Sequence, residues 1–63
     1  MSREQQRDQA KKLDPSQSYT QGQTVTRTEN SGLGFHVCLN GSAAGSAVPP
    51  PFQSNDQWHW VSL

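Results

Sequence analysis

Isoleucine is missing from this chain, and leucine, valine and phenylalanine supply only ten of its 63 residues. That large apolar share is below the roughly 20% at which core-forming capacity becomes poor. A generous interior is therefore excluded, and a chain this short has little other means of burying surface. The single cysteine excludes an internal disulfide. No apolar run approaches the roughly 18 residues of a membrane span. Charge of one sign is also lacking: five basic and five acidic residues give a formal net charge of zero. Nucleic-acid binding domains carry a clear basic surplus, so the balance argues against that ligand. Residues Met1 to Gln6 contain no apolar stretch, so neither a secretory nor a transit signal is read there. The expected location is the cytoplasm or the inside of a large assembly such as a virion.

What is present divides into short segments. Residues 1–14 read as a polar helix over 2–14: Ser2 is placed to cap it, Gln5 completes a capping box, and Pro15 stops it. Arg3, Arg7 and Lys11 fall four apart on one side, with Asp8 spaced to pair with Lys12. Residues 15–23 read as a polar linker. Residues 24–40 read as a β-hairpin. Thr24, Thr26 and Thr28 alternate with Val25 and Arg27, a turn signal follows at Glu29-Asn30-Ser31-Gly32, and a second strand spans Leu33 to Leu39. On that strand Leu33, Phe35, Val37 and Leu39 share one face, the expected buried one, while Gly34, His36 and Cys38 share the other. Residues 41–56 read as a Gly/Ala/Ser/Pro-rich linker containing the stiff run Pro49-Pro50-Pro51. Residues 57–63 read as an aromatic strand with Trp58 and Trp60 on one face.

The segment Thr24-Val25-Thr26-Arg27-Thr28-Glu29-Asn30-Ser31-Gly32-Leu33-Gly34-Phe35-His36-Val37 resembles the first strand, carboxylate-binding loop and second strand of a PDZ domain. The Gly-Leu-Gly-Phe loop at 32–35 carries the likeness. The resemblance implies backbone N–H groups converging on a peptide C-terminus, a pocket walled by Leu33 and Phe35, and a peptide pairing with the edge of the second strand beside His36 and Val37. It also places Arg27 near the carboxylate. The likeness covers about a quarter of the chain, and no second helix follows to close a groove.

Other residues invite chemistry. His36, Cys38 and His59 are the donors that a zinc or copper ion would use, but no paired-ligand spacing completes a site, and no cofactor or metal is expected. Cys38 beside a histidine suggests a thiol nucleophile, yet nothing in the sequence supplies an orienting group or a pocket, so no catalytic residue is assigned. Trp58 and Trp60 suit either a carbohydrate platform or anchors buried against a partner. Val48-Pro49-Pro50-Pro51-Phe52 has the form of a polyproline ligand, and Val61-Ser62-Leu63 that of a PDZ-binding terminus.

The fold expected is small, mostly β or irregular, and not an independent globular domain. The function expected is that of a non-enzymatic accessory or structural chain, ordered by protein partners in a larger complex. It would add its Leu33–Leu39 strand to a partner sheet and anchor Phe52, Trp58 and Trp60 in partner pockets. The alternatives are a PDZ-like module that binds a peptide C-terminus through Arg27 and residues Gly32 to Val37, and a β-module that binds carbohydrate.

Overall fold

A computed structural model describes residues 2–27 and 32–63. The turn expected at Glu29 to Ser31 lies outside the described residues, as does Thr28. The fold is a small β structure with one short helix. Helix α1, Arg3–Gln9, is capped as its sequence predicts: the Gln5 N–H donates to Ser2 Oγ at 3.2 Å, and the Ser2 N–H donates to Gln5 Oε1 at 3.1 Å. It ends five residues before the expected stop at Asp14, because Ala10 is already extended and the next two residues enter a sheet. Asp8 accordingly pairs with Arg7 at 2.9 Å rather than with Lys12.

Strand β1 (Lys11–Lys12) runs parallel to β3 (Thr24–Thr26). Strand β3 pairs antiparallel with β4 (Gly34–Cys38), so the expected hairpin forms. Strand β4 then pairs along its whole length with β6 (Trp58–Ser62), giving the sheet order β1-β3-β4-β6. A separate antiparallel pair joins β2 (Ser18–Tyr19) to β5 (Ala43–Ala44). Each stretch read as a linker from composition thus contributes one short strand.

The register decides which face is inside. Cys38 lies opposite Trp58 and His36 opposite Trp60 across β4 and β6, while Val25 of β3 faces His36 from the other side. The bulk of two indoles therefore falls on the His36/Cys38 face. There Tyr19, Val25, Cys38, Ala43, Val48 and Trp58 form the core, with Leu13 and Ala47 packed at its margin. This reverses the sequence expectation. Leu33 and Leu39 are exposed, and only Phe35 of the expected apolar face is fully buried. The alternation is present, but β4 is a central strand whose wider partners come from β6.

Tyr19 closes the core from the β2 side. Its ring meets Trp58 edge-on at 5.6 Å, and its hydroxyl oxygen accepts the Asp14 N–H at 3.1 Å. Burying an aromatic while satisfying its polar tip accounts for the order of residues 13–19, which look like featureless linker in the sequence.

Candidate interaction site

The ten candidate residues divide into three groups. Trp58 is wholly buried, at 0% exposure, inside the chain's own core. It offers no surface to a partner or a sugar, so both roles suggested for it are corrected. Trp60, at 8% exposure, is also too covered to serve as an open stacking platform. The carbohydrate reading fails with them, because the two indoles that share a face are turned inward.

The second group surrounds the Gly-Leu-Gly-Phe loop. Gly32 and Leu33 are exposed, Gly34 and Phe35 are buried in β4, and Val37 is half-buried. Strand β4 has β3 on one side and β6 on the other, so both of its hydrogen-bonding edges are filled. Strand addition by the Leu33–Leu39 segment is therefore ruled out, and so is a peptide pairing with β4 at His36 and Val37. The glycine at 34 has a packing reason. A Cβ there would strike the Val61 carbonyl oxygen and come within 2.7 Å of Trp60 Cζ2. The indole of Trp60 lies across the space that any side chain would need. The Arg27 guanidinium reaches the segment before the prolines, where its Nη2 donates to the Val48 carbonyl at 3.0 Å.

The third group is drawn together by the fold: His36, Phe52 and Trp60. Three prolines lead into a turn closed by the Gln53 N–H donating to the Pro50 carbonyl at 3.2 Å. Pro51 and Phe52 take the central positions, and Phe52 has φ of +69°. Proline at the second place and a positive φ at the third mark a type II turn, whose third place favours glycine or asparagine. The polyproline segment therefore does not continue extended through Phe52. Phenylalanine holds the left-handed backbone at a cost of about 1–2 kcal/mol, and its side chain is 64% exposed.

The turn is clamped on both flanks. Upstream, Arg27 holds the Val48 carbonyl, and Asn55 Nδ2 donates to the Ala47 carbonyl at 3.1 Å. Downstream, His36 Nε2 lies 2.9 Å from the Gln53 carbonyl, and Ser54 Oγ accepts the Trp60 N–H at 2.9 Å. Asn55 Oδ1 accepts the N–H groups of Gln57 and Trp58. Beneath the turn the Phe52 ring leans on Trp60 at 5.2 Å, and Trp60 meets the His36 imidazole edge-on at 4.9 Å. The Trp60 indole N–H is itself satisfied by Ser62 Oγ at 2.7 Å.

His36 is 2% exposed. Burial disfavours its charged form and holds its pKa below the ordinary imidazole value; the Gln53 carbonyl opposes this, and Arg27 and His59 add to it. A carbonyl only accepts, so the neutral ring carries its proton on Nε2 and donates it to Gln53. The imidazole thus works as a fixed latch on the residue after Phe52. His59 lies on the opposite face of β6 from the side that meets His36 and Cys38, so those three donors do not converge. Among the described residues no group of three histidine, cysteine or acidic side chains is placed to hold a metal ion. Cys38 Sγ points to the Asn40 carbonyl at 2.9 Å inside the core, away from any surface where a thiolate could act.

Sequence reasoning identified Phe52, His36 and Trp60 separately but not as one site. The clamps Ser54 and Asn55 were missed, although both residue types readily hydrogen-bond nearby backbone from their side chains. The chain matches no family model, no curated protein and no solved structure. No helix among the described residues is long and apolar enough to cross a membrane.

Proposed function

We propose that this chain is a non-enzymatic interaction component whose contact point is the Phe52 side chain, presented by the Pro50–Gln53 turn to a protein partner in a larger complex. The carrying observation is one of cost. An aromatic ring stands in solvent on a backbone conformation that glycine would adopt more easily. The ring keeps one face on Trp60, but the positive φ does not help the folded chain, and strain of this kind collects at sites of function. The clamps support the reading, since a rigid aromatic knob loses little entropy when a partner closes over it. Of the anchors expected from sequence, Phe52 is the one left available, and Trp60 becomes its seat.

The test is retention of partners from the native source on immobilised chain, wild type beside Phe52→Ser. Proteins held by the wild type and lost by the variant, with the amide spectrum unchanged away from residues 48–57 and the underlying His36 and Trp60, are the expected result. Equal retention by both chains would remove Phe52 from the contact and the reading with it.

A further inference from the structure

Between β4 and β5 the chain bends through Asn40 and Gly41, both exposed. An asparagine followed by glycine holds an electrophilic carbon and a nucleophilic nitrogen within reach of each other, because the Gly41 nitrogen can close a five-membered ring on Asn40 Cγ. A fold blocks this ring when it ties up either group. Here the nitrogen is open: the Gly41 N–H makes no hydrogen bond to another described residue. A Cβ on Gly41 would meet nothing within 4 Å, so no neighbour crowds the approach. On the other side, Asn40 Nδ2 donates to the Asp56 carbonyl at 2.8 Å. That single tether holds the nitrogen that would leave, not the carbon under attack. Asn55 makes the contrast. Its Oδ1 accepts two backbone N–H groups and its Nδ2 donates to the Ala47 carbonyl, so both ends of its amide are engaged.

We propose that Asn40 is a site of spontaneous modification, a deamidation that passes through a cyclic imide and ends in an aspartyl or isoaspartyl residue. The Gly41 nitrogen gives up its proton and bonds to Asn40 Cγ. The Cγ–Nδ2 bond breaks, and Nδ2 leaves with that proton as ammonia. Water then adds to one of the two ring carbonyls and breaks its bond to the Gly41 nitrogen. Opening at Cγ leaves aspartate on the ordinary backbone. Opening at the Asn40 main-chain carbonyl sends the backbone through Cγ and frees the old carbonyl carbon as a carboxylate. Water is the one co-reactant, and nothing is oxidised or reduced.

The fold gives each product a consequence. Both lose the Nδ2 donor and set a negative charge where the Asp56 carbonyl was held, beside the Leu39 N–H bond to Gln57 that joins β4 to the entry of β6. The isoaspartyl form does more. The Asn40 carbonyl accepts the Cys38 S–H at 2.9 Å, and in that product the same oxygen belongs to a charged carboxylate. Cys38 is 1% exposed, and a charge placed against it has to be hydrated, so the end of β4 opens. Modification thus turns a sealed thiol into a reachable one. This inference goes beyond the Phe52 reading and does not depend on it.

The experiment follows the whole chain at neutral and mildly alkaline pH by peptide mapping, beside the same chain in urea. Folded, Asn40 should convert within about tenfold of its rate in urea, because no opening of the structure has to come first. The rate should rise with pH, ammonia should appear in equal amount, and an isoaspartyl methyltransferase should label the product. Asn55 should stay intact. Gly41→Val, for which the bend has room, should slow conversion about tenfold, since a β-branched side chain stiffens the backbone beside the attacking nitrogen. Alkylation of Cys38 should be faster in the isoaspartyl chain than in fresh chain, while Asn40→Asp, with its ordinary backbone, should stay close to the fresh rate. Suppression by folding of roughly a hundredfold or more overturns the proposal. So does conversion that Gly41→Val leaves unchanged, or an isoaspartyl chain whose Cys38 is no more reactive than before.

Discussion

Two turns among the described residues share one pattern and fill it differently. At Thr20–Gln23 the Gln23 N–H closes onto the Thr20 carbonyl at 3.1 Å, and the third residue is Gly22 with φ of +88°. At Pro50–Gln53 the closing bond is 3.2 Å, the fourth residue is again glutamine, and the third is Phe52 with φ of +69°. The first turn has the residue its backbone favours. The second has a large aromatic, for which that backbone is costly. The first turn joins β2 to β3 and is tied by its backbone to the end of β4, where the Gly22 N–H donates to the Cys38 carbonyl and the Gln23 carbonyl accepts the Cys38 N–H. The second holds a ring outward, and the excess cost there is met by clamps from Arg27, β4 and β6. Similar local geometry with opposite residue choice separates a turn built into the sheet from a turn that presents a side chain.

The largest effect should come from putting strain where there is none. A Cβ at Gly22 would have nothing within 4 Å, so a substitution there is opposed by backbone conformation alone. Gly22→Val should lower stability by about 2 kcal/mol in denaturant titration, because β-branched residues are the least tolerant of positive φ. A change below a few tenths would mean that the two turns are not equivalent.

The converse exchange should act in the other direction. Phe52→Gly and Phe52→Ala both remove the ring, but only glycine relieves the backbone. The glycine variant should be the more stable of the two by about 1 kcal/mol, read from their midpoints at equal slope. Equal stabilities would mean that Phe52 is not strained.

The smallest effect concerns the latch that the Phe52 turn has and the Gly22 turn lacks. The folded pKa of His36 lies below its ordinary 6.5, so the unfolded chain binds the proton first as pH falls. The stability of the neutral latch is complete above 6.5. It is lost on acidification below that value and levels off once the folded imidazole is protonated. His36→Gln should flatten the slope of stability between pH 7 and pH 5. An unaltered slope would place the titration elsewhere.

Much of the fold was legible in the sequence. Ser2 and Gln5 announced the cap, the Thr/Val alternation and the Leu33–Leu39 alternation announced the hairpin, and the aromatic end announced β6. What was not legible depended on contacts between distant residues. The helix stops early because Lys11 and Lys12 pair with residues 25 and 26, a parallel contact with no local signal. Strands of two residues at Ser18–Tyr19 and Ala43–Ala44 are too short to leave a period. Burial of the His36/Cys38 face could not be read from β4 itself, because residues 58 and 60 decide it. The candidate site failed for the same reason. Phe52 looked like the end of a polyproline stretch, and only the fold brings His36 and Trp60 beneath it.

Both flanks of the four-stranded sheet are poor templates for another chain. On one side stand Lys11 and Lys12, whose charges resist an incoming strand. On the other, most outward backbone groups of β6 are already bonded to Ser54, Asn55 and Arg3. A small β protein with its flanks occupied in this way is guarded against lateral stacking into fibres.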